Sequence, residues 1–91
     1  MSLEELRKEI DQLDSSIIRS IAERMRVSGV IGEKKKELGM PVEDKGREKV
    51  VLEKVKSLAR AEKLNPGELE KIYLRIISIS KEAQGVTVAL P

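Results

Sequence analysis

Ninety-one residues with 18 basic and 16 acidic side chains, a formal charge of +2, make one small domain without the global field that drives a protein onto nucleic acid. There is no Cys and no His, which excludes disulfides, cysteine zinc sites, and Cys or His nucleophiles and general bases. Ala, Glu, Lys, Leu and Arg fill about half of the positions and a single Tyr is the only aromatic residue, a balance that points to long helices rather than sheet.

The first predicted element is long. Leu3, Leu6, Ile10, Leu13, Ile17 and Ile21 recur at three- and four-residue steps, and Val27, Ile31 and Leu38 continue the line. Ser2 is the candidate N-cap, with Glu4 and Glu5 in the first turn, and no Pro intervenes before Gly39-Met40-Pro41. The reading is one helix over 2–38, weakened locally by Gly29 and Gly32 at about 1 kcal/mol each relative to Ala. The second helix starts at Asp44 as N-cap and runs to about Lys63, with Val51, Val55 and Leu58 as its apolar line. The third spans 65–84. Asn65 caps it, Pro66 takes the first helical position, and Glu68 stands at the capping-box position. Its apolar face is Leu69, Ile72, Tyr73, Ile76 and Ile77. Gly85 provides the stop, and the segment 85–91 reads as a tail. No apolar run reaches the length of a membrane span and the first residues are unlike a signal peptide, so a cytoplasmic protein is expected.

The first helix is too long for the chain that carries it. Its rise of 1.5 Å per residue gives about 55 Å. A compact chain of this size has a radius of gyration near 12 Å, or a diameter of roughly 30 Å. Much of the apolar stripe would lie bare, which soluble monomers avoid. An all-α homodimer, in which a second copy covers the overhang, is the simplest solution.

The residues that break the apolar lines are the informative ones. Arg24 sits where the stripe of the first helix calls for a core side chain, with Lys34 and Lys35 further along it. On the third helix the Ile76–Ile77 face leads to Ser80 and then Gln84. On the second, Glu48 precedes Val51 and Val55, and Asp44, Arg47 and Glu48 share one face. Each has a bland alternative. Arg24 could snorkel to water, Ser80 could be a small helix contact, and Asp44 only a cap. Arg47 and Glu48 could be a solvated pair and Lys34-Lys35-Lys36 an exposed charge run. Taken together, polar groups on the inward lines of three helices point to one wet, charged pocket, since buried polar groups cost several kcal/mol unless paired. Arg24 and Lys35, with Arg7 and Arg47 as further candidates, make that pocket cationic and suited to a small carboxylate.

In chain order, five segments carry a resemblance. They are Leu6-Arg7 with Ile10 and Leu13-Asp14, Glu23-Arg24, Gly32 with Lys35, Pro41 with Asp44 and Arg47-Glu48, and Ser80 with Gln84. At these spacings the chain resembles the all-helical class of chorismate mutase from about Leu3 to Gln84. The resemblance implies three helices per chain in an intertwined homodimer with two equivalent active sites. It also implies a stand-alone enzyme of phenylalanine and tyrosine biosynthesis, without an appended dehydratase, dehydrogenase or regulatory domain. The substrate would be chorismate, rearranged to prephenate in a concerted pericyclic step that needs no metal and no cofactor. The substrate-contacting positions would be Arg7, Arg24, Lys35, Asp44, Glu48, Ser80 and Gln84, with Arg47 in support and Arg7 reaching the site of the other subunit. By that analogy Arg7 and Lys35 hold the enolpyruvyl carboxylate, while Arg24 and Ser80 hold the ring carboxylate. Glu48, with Asp44, takes the ring hydroxyl, and Lys35 and Gln84 donate to the breaking ether oxygen. Gly29 and Gly46 depart from the family pattern and would loosen the lip of the site.

Two rival readings remain at this level. Isochorismate pyruvate-lyases share the fold and tend to be apolar where this chain has Glu48 and Ser80. A non-catalytic helical dimerisation or nucleic-acid-binding module would use the lysine run, but leaves Arg24, Ser80 and Gln84 without a purpose.

Overall fold

The computed structural model describes residues 1–85. Three helices form, α1 over Leu3–Glu37, α2 over Lys45–Ala61 and α3 over Pro66–Ala83, and no strand occurs among the described residues. The tail beyond Gly85 lies outside the described residues.

Local chemistry starts each helix. The Ser2 hydroxyl accepts from the Glu5 backbone N–H at 3.1 Å, Asp44 from that of Arg47 at 2.9 Å, and Asn65 from that of Glu68 at 3.1 Å. Each cap removes one unpaired donor from a helix start, worth about 1 kcal/mol. The capping box at α3 is only half made, because the Glu68 carboxylate turns to Lys71 at 3.3 Å. Glu4 and Glu5 open α1 and Lys34, Lys35 and Lys36 close it, the charge order that a helix dipole favours.

The helix ends follow one scheme. Gly39 adopts φ +67 after α1 and Gly85 φ +99 after α3. Lys63, with φ +60, does the same after α2 without the freedom of a glycine, which ends the helix at Ala61, two residues before the expected Lys63. In both α1 and α2 the left-handed residue lets a later N–H reach back into the last turn: Met40 to the Lys35 carbonyl and Leu64 to the Ala59 carbonyl, each at 2.8 Å.

Packing is uneven. α3 lies against both α1 and α2, while α1 and α2 make no close backbone approach to each other. The buried apolar side chains are Val55 and Ala59 on α2 and Ile76 and Ile77 on α3. The inward line of α2 therefore runs through Val51, Val55 and Ala59 at four-residue steps, and Leu58, expected on it, is exposed. Every residue from Met1 to Ser20 is exposed. The molecule is 55 Å along its longest axis with a radius of gyration of 16.1 Å, well beyond the roughly 12 Å of a compact chain this size. The overhang of the first helix is real.

Candidate active site

Because α3 separates α1 from α2, a cleft is left between those two helices. It is a cavity of about 340 Å³, large enough for a small organic ligand. α1 contributes Arg24, Ser28 and Lys35, α2 contributes Arg47 and Glu48 beside the cap Asp44, and α3 contributes Ser80, Lys81 and Gln84. Val27, Ile31, Val51 and Ile77 supply the apolar part of the wall.

The polar groups are already tied to one another. Arg24 donates through Nη1 to the hydroxyl of Ser80, which is buried at 5% exposure, and its guanidinium lies 5.9 Å from the ring centroid of Tyr73. Arg24 is therefore held inward rather than snorkelling to water. Lys35 Nζ donates to the Val42 carbonyl at 2.8 Å and to Gln84 Oε1 at 2.9 Å. This leaves the amide N–H2 of Gln84 as a free donor direction beside a fixed ammonium. The three consecutive lysines divide: Lys35 is half-buried in the cavity wall, whereas Lys34 is exposed beside Glu37 at 3.5 Å and Lys36 is exposed. Asp44 is both a helix cap and a wall residue, so its two readings are one.

Seven of the eight candidate residues meet at this cavity. Arg7 does not: it is exposed, 17 positions before Arg24, or about 25 Å along the helix axis. Within its own chain it has no access to the cleft.

Two contributors escaped the sequence reading, and a third, Gly32, was seen there only as a motif position and a weak point of the helix. Lys81 forms ion pairs at 2.6 Å with Glu48 Oε1 and at 3.3 Å with Glu43 Oε1, and these two carboxylates, Glu48 first, hold its ammonium above the ordinary lysine value. Ser28 is buried at 5% exposure on the cavity wall. Gly32 is where α1 and the end of α3 touch: a Cβ there would stand 2.7 Å from Gln84 Cα and 2.8 Å from the Gln84 carbonyl oxygen. Its lack of a side chain is a packing requirement that sets the position of Gln84. Gly29 and Gly46 have no such need, since a Cβ at either would meet its nearest neighbour at 3.6 and 3.5 Å.

Four cations, Arg24, Lys35, Arg47 and Lys81, face two carboxylates, Asp44 and Glu48, so the wall carries an excess of two positive charges. That matches a ligand with two carboxylates. No cluster of three His, Cys, Asp or Glu side chains suited to a metal ion occurs among the described residues, and none of the helices there is long and apolar enough to cross a membrane.

Comparison with known proteins adds a second line. A model of the family described as chorismate mutase type II matches residues 6–85. The chain is 33% identical over 82 residues to a chorismate mutase of Methanocaldococcus jannaschii, covering 90% of this chain and 83% of that one. It is 42% identical over 53 residues to a bifunctional chorismate mutase/prephenate dehydratase of Aquifex aeolicus, of which it spans 15%. Among solved structures it is similar to a conserved hypothetical protein from Pyrococcus furiosus, with a TM-score of 0.69 and 39% identity over 90% of this chain and 93% of that one.

Proposed function

The chain belongs to the chorismate mutase type II family, and on that premise we propose how its cleft carries out the rearrangement of chorismate to prephenate. It is an isomerase. The reaction is unimolecular and moves no proton, so it asks the protein for two things only: a folded substrate conformer and donors where charge develops. A wall without His or Cys suits that demand.

The observation that carries the mechanism is the Lys35–Gln84 pair, two donors fixed side by side in a cleft of excess positive charge. In our reading Lys35 and Gln84 donate to the ether oxygen as its bond to carbon breaks. Lys35 also receives the enolpyruvyl carboxylate. Arg24 and Ser80, already joined, receive the ring carboxylate. Glu48, beside Asp44, accepts from the ring hydroxyl, and Arg47 supports that edge. Because these groups are held by one another before substrate arrives, little reorganisation remains for the chemical step. What remains is at Lys35, which has one N–H left free and exchanges one of its two present acceptors for substrate.

The same reading includes a second copy of the chain, in the cytoplasm. The bare stripe of α1, with Leu6, Ile10, Leu13 and Ile17 each at least 44% exposed, asks to be covered. A two-fold partner that covered it would bring its own Arg7 to this cleft as a further cation for the enolpyruvyl carboxylate. Light scattering on the purified chain at micromolar concentration should return the mass of two chains. The mass of one chain, from well-folded protein, would end this part of the proposal.

Activity has a direct test. Chorismate absorbance should fall when the purified protein is added, with prephenate as product and no requirement for added metal. Isochorismate supplied in its place should give no salicylate, because Glu48 and Ser80 make polar the part of the wall where a lyase of this fold is apolar. Salicylate without prephenate would reverse the assignment.

A further inference from the structure

Two lysines pair between α2 and α3: Lys56 reaches Glu70 at 3.0 Å, away from the cleft, and Lys81 is the paired lysine that lines it. Lys34–Glu37 and Lys71–Glu68 are pairs three residues apart on one helix, with both partners more than 60% exposed. Lys81, on the last turn of α3, instead reaches Glu48 on α2 and Glu43 in the preceding loop, and its side chain and that of Glu48 are 28% and 24% exposed. Both line the cleft. Its position falls in the variable part of the Ser80-to-Gln84 spacing, so no motif accounts for it.

Glu48 poses a problem that Lys81 answers. A carboxylate in the wall of a site for a dicarboxylate repels the ligand that the cations attract. Opposite charges a few ångströms apart at a partly buried site attract more strongly than at the open surface, because less water screens them. An ammonium at 2.6 Å cancels that repulsion, engages Oε1, and leaves Oε2 as an acceptor. It does so from the last turn of α3.

We propose that Lys81 is a positioning residue of this enzyme, which acts through Glu48 by neutralising it toward the dianionic substrate and fixing one of its oxygens. The proposal rests on the mutase reading of the cleft. It assigns the cost of losing Lys81 to substrate binding: an unpaired Glu48 opposes the ligand before any bond has moved, so KM carries the effect more than kcat.

The test is a double-variant cycle on chorismate turnover with Lys81→Met, Glu48→Gln and both together, and Lys71→Met as the exposed-lysine control. Lys81→Met should raise KM roughly tenfold, in the range expected for directly coupled residues. In the Glu48→Gln background the same change should move KM by no more than about twofold, since no charge is left to neutralise. Lys81→Arg should restore most of the loss. Independent, multiplying effects of the two substitutions would overturn the proposal, as would an unchanged KM in Lys81→Met. A strut that merely joins α3 to α2 would lower the melting temperature in both backgrounds alike and leave KM alone. Should circular dichroism show that Lys81→Met fails to fold, Lys81→Gln runs the same cycle. An inactive wild-type protein would overturn the mutase reading and this inference with it, whereas an active one without coupling overturns this inference alone.

Discussion

From Leu3 to Ser20 every residue of α1 is exposed, whereas from Ile21 to Glu37 the same helix packs on α3 and supplies Arg24, Ser28 and Lys35 to the cleft. The apolar repeat runs through both halves, broken by Arg24 and Lys35 in the second. What differs is the partner. The second half has α3 of its own chain to bury against, and its polar interruptions become a site. The first half has nothing to bury against among the described residues, and its polar side chains, Arg7 among them, point to solvent. Periodicity thus reports that a face is to be buried, and says nothing about which chain buries it.

The sharpest way to break the comparison is to charge the bare half. Leu13→Glu removes an apolar side chain that a second copy would bury at about 1.5–3 kcal/mol in each chain, so the assembly should fall apart and turnover vanish with it. Sedimentation velocity, read beside the activity assay, gives both answers. On a chain that works alone, Leu13 is 53% exposed and the change should shift stability by no more than about 0.5 kcal/mol.

Next in size is the sharing of the site. Arg7→Ala and Lys35→Ala should each lower turnover by roughly two to three orders of magnitude, the usual cost of one preorganised donor. If each site takes Arg7 from one chain and Lys35 from the other, unfolding the two inactive proteins together and refolding them should restore roughly a quarter of wild-type activity. About half of the dimers are then mixed, and one of the two sites in each is intact. Sites built within one chain would recover nothing.

The packed half offers a smaller contrast between two glycines three residues apart. Gly32→Ala must push the backbone at Gln84 away and should cost about tenfold to a hundredfold in kcat, the effect of misplacing a donor by a fraction of an ångström to an ångström. Gly29→Ala meets only an ordinary contact and should gain about 0.5–1 kcal/mol of stability from helix propensity, with kcat intact. Thermal melts with steady-state kinetics on the two variants separate these outcomes.

What could be read beforehand follows a physical division. Ser2, Asp44 and Asn65 were legible as caps because capping is a transaction within four residues. Arg24, Ser80 and Gln84 were legible because each interrupts a line that should be apolar, and the structure brings all three to one cleft. Lys81 was not, since a lysine in the last turn of a helix is already explained by the dipole, and its partner Glu48 lies more than thirty positions away. Gly32 was misjudged for the same reason. From composition alone it is a weak point of a helix. Only the approach of the Gln84 backbone, fifty-two positions later, shows that any side chain there would be an obstacle. The stop at Ala61 was hidden because Lys63, rather than a glycine, takes the left-handed turn.

The exposed half of α1 also leaves the ribosome before α2 and α3. When Leu3–Ser20 emerges, α3 has not been made, and among the described residues nothing packs on that half afterwards. A helix without tertiary support is marginal in water, so the nascent segment flickers between coil and an apolar-faced helix for the whole of translation. If a second copy covers it, its first complementary surface is the same segment on a neighbouring ribosome of the same message. In the proposed dimer, the order of synthesis therefore brings the segment that meets its like into contact before α2 and α3 exist. The yield of folded protein should accordingly depend on how closely ribosomes follow one another along the transcript.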